Sequence, residues 1–86
     1  MKPIVYYAPW CPDTKPFFDE LNRLGVEFEA LDMVGVSANL KAFLKLRDTH
    51  SAFNIAKQNG SIGIPALVLE DGEVLLDKNK LADIFA

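Results

Sequence analysis

The chain of 86 residues carries one cysteine, Cys11, so no disulfide can form within it. A small secreted scaffold held by disulfide staples is thereby excluded. Its one histidine, His50, cannot complete with Cys11 the four nitrogen or sulfur ligands of a structural zinc site, and no metal site is expected. Long apolar runs are missing. The first, Ile4 to Ala8, is too short for a signal-peptide core or a membrane span, so a cytoplasmic protein without a membrane partner is expected. Basic residues are in the minority: Lys and Arg total 9 against 12 for Asp and Glu, a formal charge of −3. The basic residues are scattered, whereas a nucleic-acid binder gathers them on one face, so nucleic acid is set aside as a partner. Repeats, low-complexity tracts and linkers are absent as well.

What is present is a core. Half the residues are hydrophobic and 10% are aromatic, enough for one compact domain over 1–86 and too much for a disordered chain. A domain of this size buries only about 60% of its unfolded surface, so its stability margin is narrow.

Ile4-Val5-Tyr6-Tyr7-Ala8 reads as a strand buried on both faces and central in a sheet. Pro9 and Pro12 bracket a loop that carries Trp10 and Cys11. A helix follows, with Phe17, Phe18, Leu21 and Leu24 at helical spacing and Gly25 as its stop. Val26 to Ala30 alternates apolar and charged, as a half-exposed strand does. The helical crossover makes it parallel to the first. Met33 to Val36 is a loop, and Ser37 is the expected N-cap of a helix bearing Leu40, Phe43 and Leu44. Asp48 and Thr49 are expected to cap a further helix with Phe53 and Ala56, ending near Asn59-Gly60. Ala66 to Leu69 and Val74 to Leu76 form a hairpin about Asp71-Gly72. Asn79 is the expected cap of a last helix with Leu81, Ile84 and Phe85 facing inward.

Chemistry concentrates at Cys11, where a buried strand passes into a helix. Free N–H groups and the positive end of the helix dipole favour a thiolate there, and thiolate is the nucleophile of thiol–disulfide exchange. Lys15 adds positive charge one turn on, while Asp13 opposes it. Pro12 suits a first helical position with Cys11 as cap. Alternatively Asp13 caps the helix and Pro16 falls in the first turn. Thr14 stands three residues after Cys11, where its hydroxyl can donate to a thiolate but cannot form a disulfide. Trp10 reads as a partly exposed residue, either a substrate-facing aromatic or a core-edge side chain, and His50 as a solvent-facing residue without a role. Gly63-Ile64-Pro65 precedes the third strand. X-Pro bonds in folded proteins are only about 5% cis, so composition alone predicts a trans bond.

The order β-α-β-α-α-β-β-α resembles the thioredoxin fold, an α/β architecture with a four-stranded mixed sheet in the order 2-1-3-4 and helices on both faces. Three segments carry a more specific likeness: Trp10-Cys11-Pro12-Asp13-Thr14, Gly63-Ile64-Pro65, and the hairpin with its final helix. Together they resemble the glutaredoxin family over nearly the whole chain. Phe43 to Thr49, with Gly60 to Pro65, is similar to the subgroup of glutaredoxin-related proteins.

The resemblance implies Cys11 as nucleophile and Pro12 as the proline that follows it, with Thr14 in place of the second cysteine. It also implies a cis bond at Pro65, packed against the cysteine, and an Ile64 backbone that pairs with a bound thiol as an added strand does. Ala8 stands where the family often has a lysine. Leu75-Leu76 stand where it has two glycines, followed by Asp77 and Lys78 where the γ-glutamyl end of glutathione is held. The implied function is a glutaredoxin-like monothiol thiol–disulfide oxidoreductase with glutathione as co-substrate and no tightly bound cofactor. Its implied partners are glutathione or another low-molecular-weight thiol, and glutathionylated or disulfide-containing proteins. Two rival readings are an iron–sulfur cluster carrier with glutathione and a redox-inactive thioredoxin-fold binding module.

Overall fold

Val5 and Leu67 explain the architecture. Both are fully buried, and both point to one face of the sheet, while their strand neighbours Tyr6, Ala66 and Val68 point to the other. A strand whose alternate residues are apolar on both sides must be covered on both sides. The computed structural model describes residues 2–85 and shows that arrangement.

Four strands, β1 (Ile4–Tyr7), β2 (Glu29–Asp32), β3 (Ala66–Val68) and β4 (Val74–Leu75), form one mixed sheet in the order β2-β1-β3-β4. β1 runs parallel to β2 and antiparallel to β3, and β3 runs antiparallel to β4. Four helices accompany them: α1 (Thr14–Arg23), α2 (Ser37–Thr49), α3 (Asn54–Gln58) and α4 (Leu81–Phe85). Single 3-10 turns, Ser51–Phe53 and Lys78–Lys80, lead into α3 and α4.

On the first face Val5 and Leu67 meet Phe17 and Leu21 of α1 and Leu81 of α4. On the second face Tyr6, Ala66, Val68 and Val74 meet Phe43 of α2, Phe53 and Met33. The rings of Phe43 and Phe53 pack edge to face at 5.6 Å, and Tyr6 lies 5.7 Å from Phe43. Burying each large side chain contributes roughly 1.5–3 kcal/mol, so both faces are needed to hold a chain of this length.

Several sequence expectations shift. β1 ends at Tyr7, and only Val5 within it is buried; Ile4, Tyr6 and Tyr7 are half-buried beneath the helices. β2 begins three residues later than the alternating pattern suggests. Gly25, at φ +71°, turns the chain after α1, and the Val26 N–H bonds back to the Leu21 carbonyl at 3.0 Å. Val26 and Phe28 therefore pack on the core before the backbone reaches its pairing register with Ile4.

Ser37 is the first residue of α2, whose N-cap position is Val36 and has no side-chain cap. The acceptor at this corner is Asp32, whose Oδ1 takes the N–H groups of Val34 and Gly35 at 2.8 and 3.1 Å. Only one stripe of α2 faces inward, so Phe43 is buried while Leu40 and Leu44 are exposed. Ile84 is likewise exposed, although Phe85 packs against the core.

Asp48 and Thr49 do not cap α3. Both close α2, where the Thr49 hydroxyl donates to the Lys45 carbonyl at 2.9 Å. His50 takes the capping role. Its Nδ1 accepts the Ala52 N–H at 3.0 Å, which leaves the proton on Nε2, 3.0 Å from the Gly72 carbonyl. One half-buried imidazole thus ties the end of α2 to the β3–β4 hairpin, instead of facing solvent without a role. Asp77, not Asn79, caps the last helical stretch: its Oδ1 accepts the Asn79 N–H at 2.9 Å. The hairpin closes at Asp71-Gly72 as the sequence suggests, with Gly72 at φ +91° and its N–H bonded to the Leu69 carbonyl. No helix among the described residues is long and apolar enough to cross a membrane.

His50→Ala removes a cap and a long-range bond together, so it should lower unfolding stability by about 1 kcal/mol, read from urea denaturation. His50→Asn, which can still accept the Ala52 N–H, should lose less.

Candidate functional site

Ala8, just past β1, is fully buried, and its carbonyl oxygen accepts two hydrogen bonds. One comes from the Cys11 N–H at 3.1 Å and the other from the Thr14 hydroxyl at 3.0 Å. The Thr14 N–H donates in turn to the Cys11 carbonyl at 3.1 Å. The stretch from Ala8 to Thr14 is therefore a pair of tight turns that holds Cys11 half-buried, as a free thiol, ahead of α1.

This geometry decides the open question of the helix start. Asp13 occupies the N-cap position and Pro16 falls in the first turn, where a missing N–H costs little. The Asp13 carboxylate makes no capping bond. Two side chains expected to face the sulfur have other partners. The Thr14 hydroxyl donates to the buried Ala8 carbonyl rather than to sulfur, giving that carbonyl a second partner. The Lys15 ammonium bonds Asp19 along the helix at 2.7 Å.

The start of β3 lies at the same end of the sheet. Tyr6 pairs with Ala66, so the residues leaving β1 and those arriving at β3 run side by side. The Ile64–Pro65 bond is cis, as the family resemblance implies and against the composition-based expectation of trans. Gly63 precedes it at φ +93°, and a Cβ built there would come within 2.7 Å of a Phe53 ring carbon. Arg47 of α2 fixes the same segment. Its Nε donates to the Ile62 carbonyl and its Nη2 to the Ser61 carbonyl, each at 2.8 Å. Among the described residues, no backbone–backbone loop or turn hydrogen bond involves Gly63, Ile64 or Pro65.

A groove of about 710 Å³ opens beside this segment, bounded among others by Ile55, Ile64, Pro65, Leu75, Leu76, Asp77, Lys78 and Lys80. Asp13 and Pro16 belong to its wall, which joins it to the Cys11 turn, although Cys11 itself is not in the lining. Of the residues singled out from sequence, Ile64, Pro65, Asp77 and Lys78 come together here. Trp10, 63% exposed, and Pro12, also exposed, stand outside the groove on the Cys11 loop. The Asp77 carboxylate is engaged by its own cap, which reduces what it can offer a ligand. Sequence reasoning missed Arg47, whose partners lie 14 and 15 residues away, and Ile55, whose exposure within a helical pattern has no local signal. Among the described residues, no cluster of three or more His, Cys, Asp or Glu side chains could hold a metal ion.

A comparison with known proteins finds an uncharacterized protein of Haemophilus influenzae that is 50% identical over 84 residues, covering 98% of each chain. The chain belongs to the same family as that protein. No protein-family model and no solved structure matches it.

Thr14→Val should cost about 1 kcal/mol of stability by removing the hydroxyl donor from a buried carbonyl, with Thr14→Ser near wild type in the same denaturant titration. Arg47→Ala should also cost about 1 kcal/mol. Arg47→Lys should recover less than half of that, because an ammonium does not present two donors in a fixed fork.

Proposed function

We propose that this protein is a glutaredoxin-like monothiol thiol–disulfide oxidoreductase of thioredoxin-like fold, acting on glutathione mixed disulfides through Cys11. One observation carries the reading: a free, half-buried thiol on a turn whose Cys11 N–H donates to the Ala8 carbonyl, just ahead of α1, at the sheet end where Pro65 and an open groove lie. The strand order β2-β1-β3-β4 with helices over both faces is compatible with the fold.

In this reading the Cys11 thiolate attacks the glutathione sulfur of a mixed disulfide. The Cys11–glutathione bond forms, the old sulfur–sulfur bond breaks, and the protein thiolate leaves and takes a proton from water. A second glutathione thiolate then attacks the bound glutathione sulfur, releasing oxidised glutathione and restoring Cys11. Thr14 takes no part in electron transfer. Its hydroxyl stabilises the turn that presents Cys11. Ile64 offers backbone groups to the bound thiol as an added strand would, and the Arg47 fork keeps the preceding residues in position. Trp10 and Pro12 face the protein half of the substrate, and Lys78 meets a carboxylate of the small thiol.

The test is glutathione-dependent reduction of a small glutathione mixed disulfide, with Cys11→Ser alongside. Turnover in the wild type should vanish in the variant. Equal turnover in both would remove Cys11 from the chemistry. Absence of turnover in the wild type, with binding of the thiol retained, would favour a redox-inactive module. A coloured protein after anaerobic reconstitution with iron and sulfide would favour cluster carriage.

A further inference from the structure

His50 stands between two elements that line the groove. Ala52, Ile55 and Ala56 line it at and beyond the Ser51–Phe53 turn, and Val74, Leu75 and Leu76 line it just after the hairpin turn at Gly72. The residue holds the Ser51–Phe53 turn twice. Its carbonyl accepts the Phe53 N–H at 3.2 Å, and its ring Nδ1 accepts the Ala52 N–H at 3.0 Å. Ring Nε2 lies 3.0 Å from the Gly72 carbonyl. The same turn carries the fully buried Phe53, and the Gly63 backbone passes so close to that ring that a Cβ there would meet it at 2.7 Å. The turn thus supports the Gly63 to Pro65 segment as well as the wall at Ile55.

A backbone N–H only donates and a carbonyl only accepts. The two ring bonds therefore require a neutral imidazole with its proton on Nε2. An imidazolium carries a proton on both nitrogens. Its Nδ1–H would face the Ala52 N–H, donor against donor, while Nε2–H still suits the Gly72 carbonyl, now as a charged donor. Protonation breaks one bond and spares the other.

We propose that His50 is a proton-operated latch on the groove wall. Above the imidazole's midpoint the Ala52 bond is present and the turn is fixed. As the pH falls through that midpoint the bond is lost. The turn, Ile55 and the Gly63 backbone then loosen together, while the hairpin stays tied to the ring. The latch belongs to the groove wall and does not depend on the reaction proposed for Cys11.

The charged side chains on the elements that meet at His50 are Lys45, Arg47 and Asp48 of α2, Lys57 of α3, and Glu70, Asp71 and Glu73 of the hairpin. Arg47 is committed to the Ser61 and Ile62 carbonyls. Carboxylates ordinarily titrate near about pH 4 and lysine and arginine above about pH 10, so imidazole is the side-chain type in this set that changes charge between about pH 5 and 8. The hairpin carries acids and no bases, and it draws an imidazolium toward Gly72, the direction the latch requires.

The experiment follows the full chain by NMR from about pH 8 down to about pH 5. The ring nitrogens of His50, the Ala52 amide and the Ile55 methyls are read together. Ala52 hydrogen-exchange protection, corrected for the intrinsic rate at each pH, should fall about five-fold, the equivalent of one lost cap. The Ile55 methyls should shift with the midpoint of the His50 ring, and the Gly72 amide should keep its protection. His50→Asn still accepts the Ala52 N–H and takes no proton, so its Ile55 methyls should hold steady over the same range. The wild-type coincidence is read without any variant, so the test stands even if His50→Asn fails to fold. A His50 ring that titrates while Ala52 and Ile55 hold steady would overturn the latch. So would an Ile55 response that persists in His50→Asn, a loss of protection at Gly72 along with Ala52, or a ring that stays neutral throughout.

Discussion

The backbone of β1 is bonded on both sides, to β2 through a parallel ladder and to β3 through an antiparallel one. That constraint organises everything else. It forces Val5 and Tyr6 onto opposite faces, so the helices must divide between the two sides. It also fixes where the chain leaves the sheet. With Tyr6 set against Ala66, the buried Ala8 arrives beside the residues that lead into β3. The Cys11 turn and the Pro65 segment are thus neighbours because of register.

The second layer of organisation is polar, and it works at the ends of elements. The Ala8 carbonyl, the Arg47 fork, the His50 imidazole and the Asp77 carboxylate each satisfy backbone groups that helices and strands leave open. All four act on segments that border the groove, at Asp13, Ser61, Ala52 and Lys78. In a domain with little core, such bonds determine how rigid a binding surface is, because no large interior presses the loops into place.

The central first strand and the closing hairpin were legible because β1 is a continuous apolar run and Asp71-Gly72 is an unambiguous turn, whereas the full strand order came from the resemblance to the thioredoxin fold. Cap positions were harder. Ser37, Asp48, Thr49 and Asn79 are all favourable cap types, but each lies one or more residues from the cap position observed. Several side chains near a helix start can accept the same orphan N–H, and tertiary contacts choose among them. His50 is not a residue from which capping is ordinarily read, and its second partner, Gly72, is 22 residues away. The site divides along the same line. Cys11 announces itself by its place between strand and helix, whereas the direction of the Thr14 hydroxyl depends on a buried carbonyl six residues earlier.

One thiol per chain has a consequence for oxidative damage. A sulfenic acid formed on half-buried Cys11 would find no second cysteine in the chain to condense with. Its rescue depends on whatever free thiol diffuses to it, and without one the sulfur proceeds to the sulfinic state. The survival of this protein under peroxide is therefore set by its surroundings, by the reducing capacity of the compartment in which it is held.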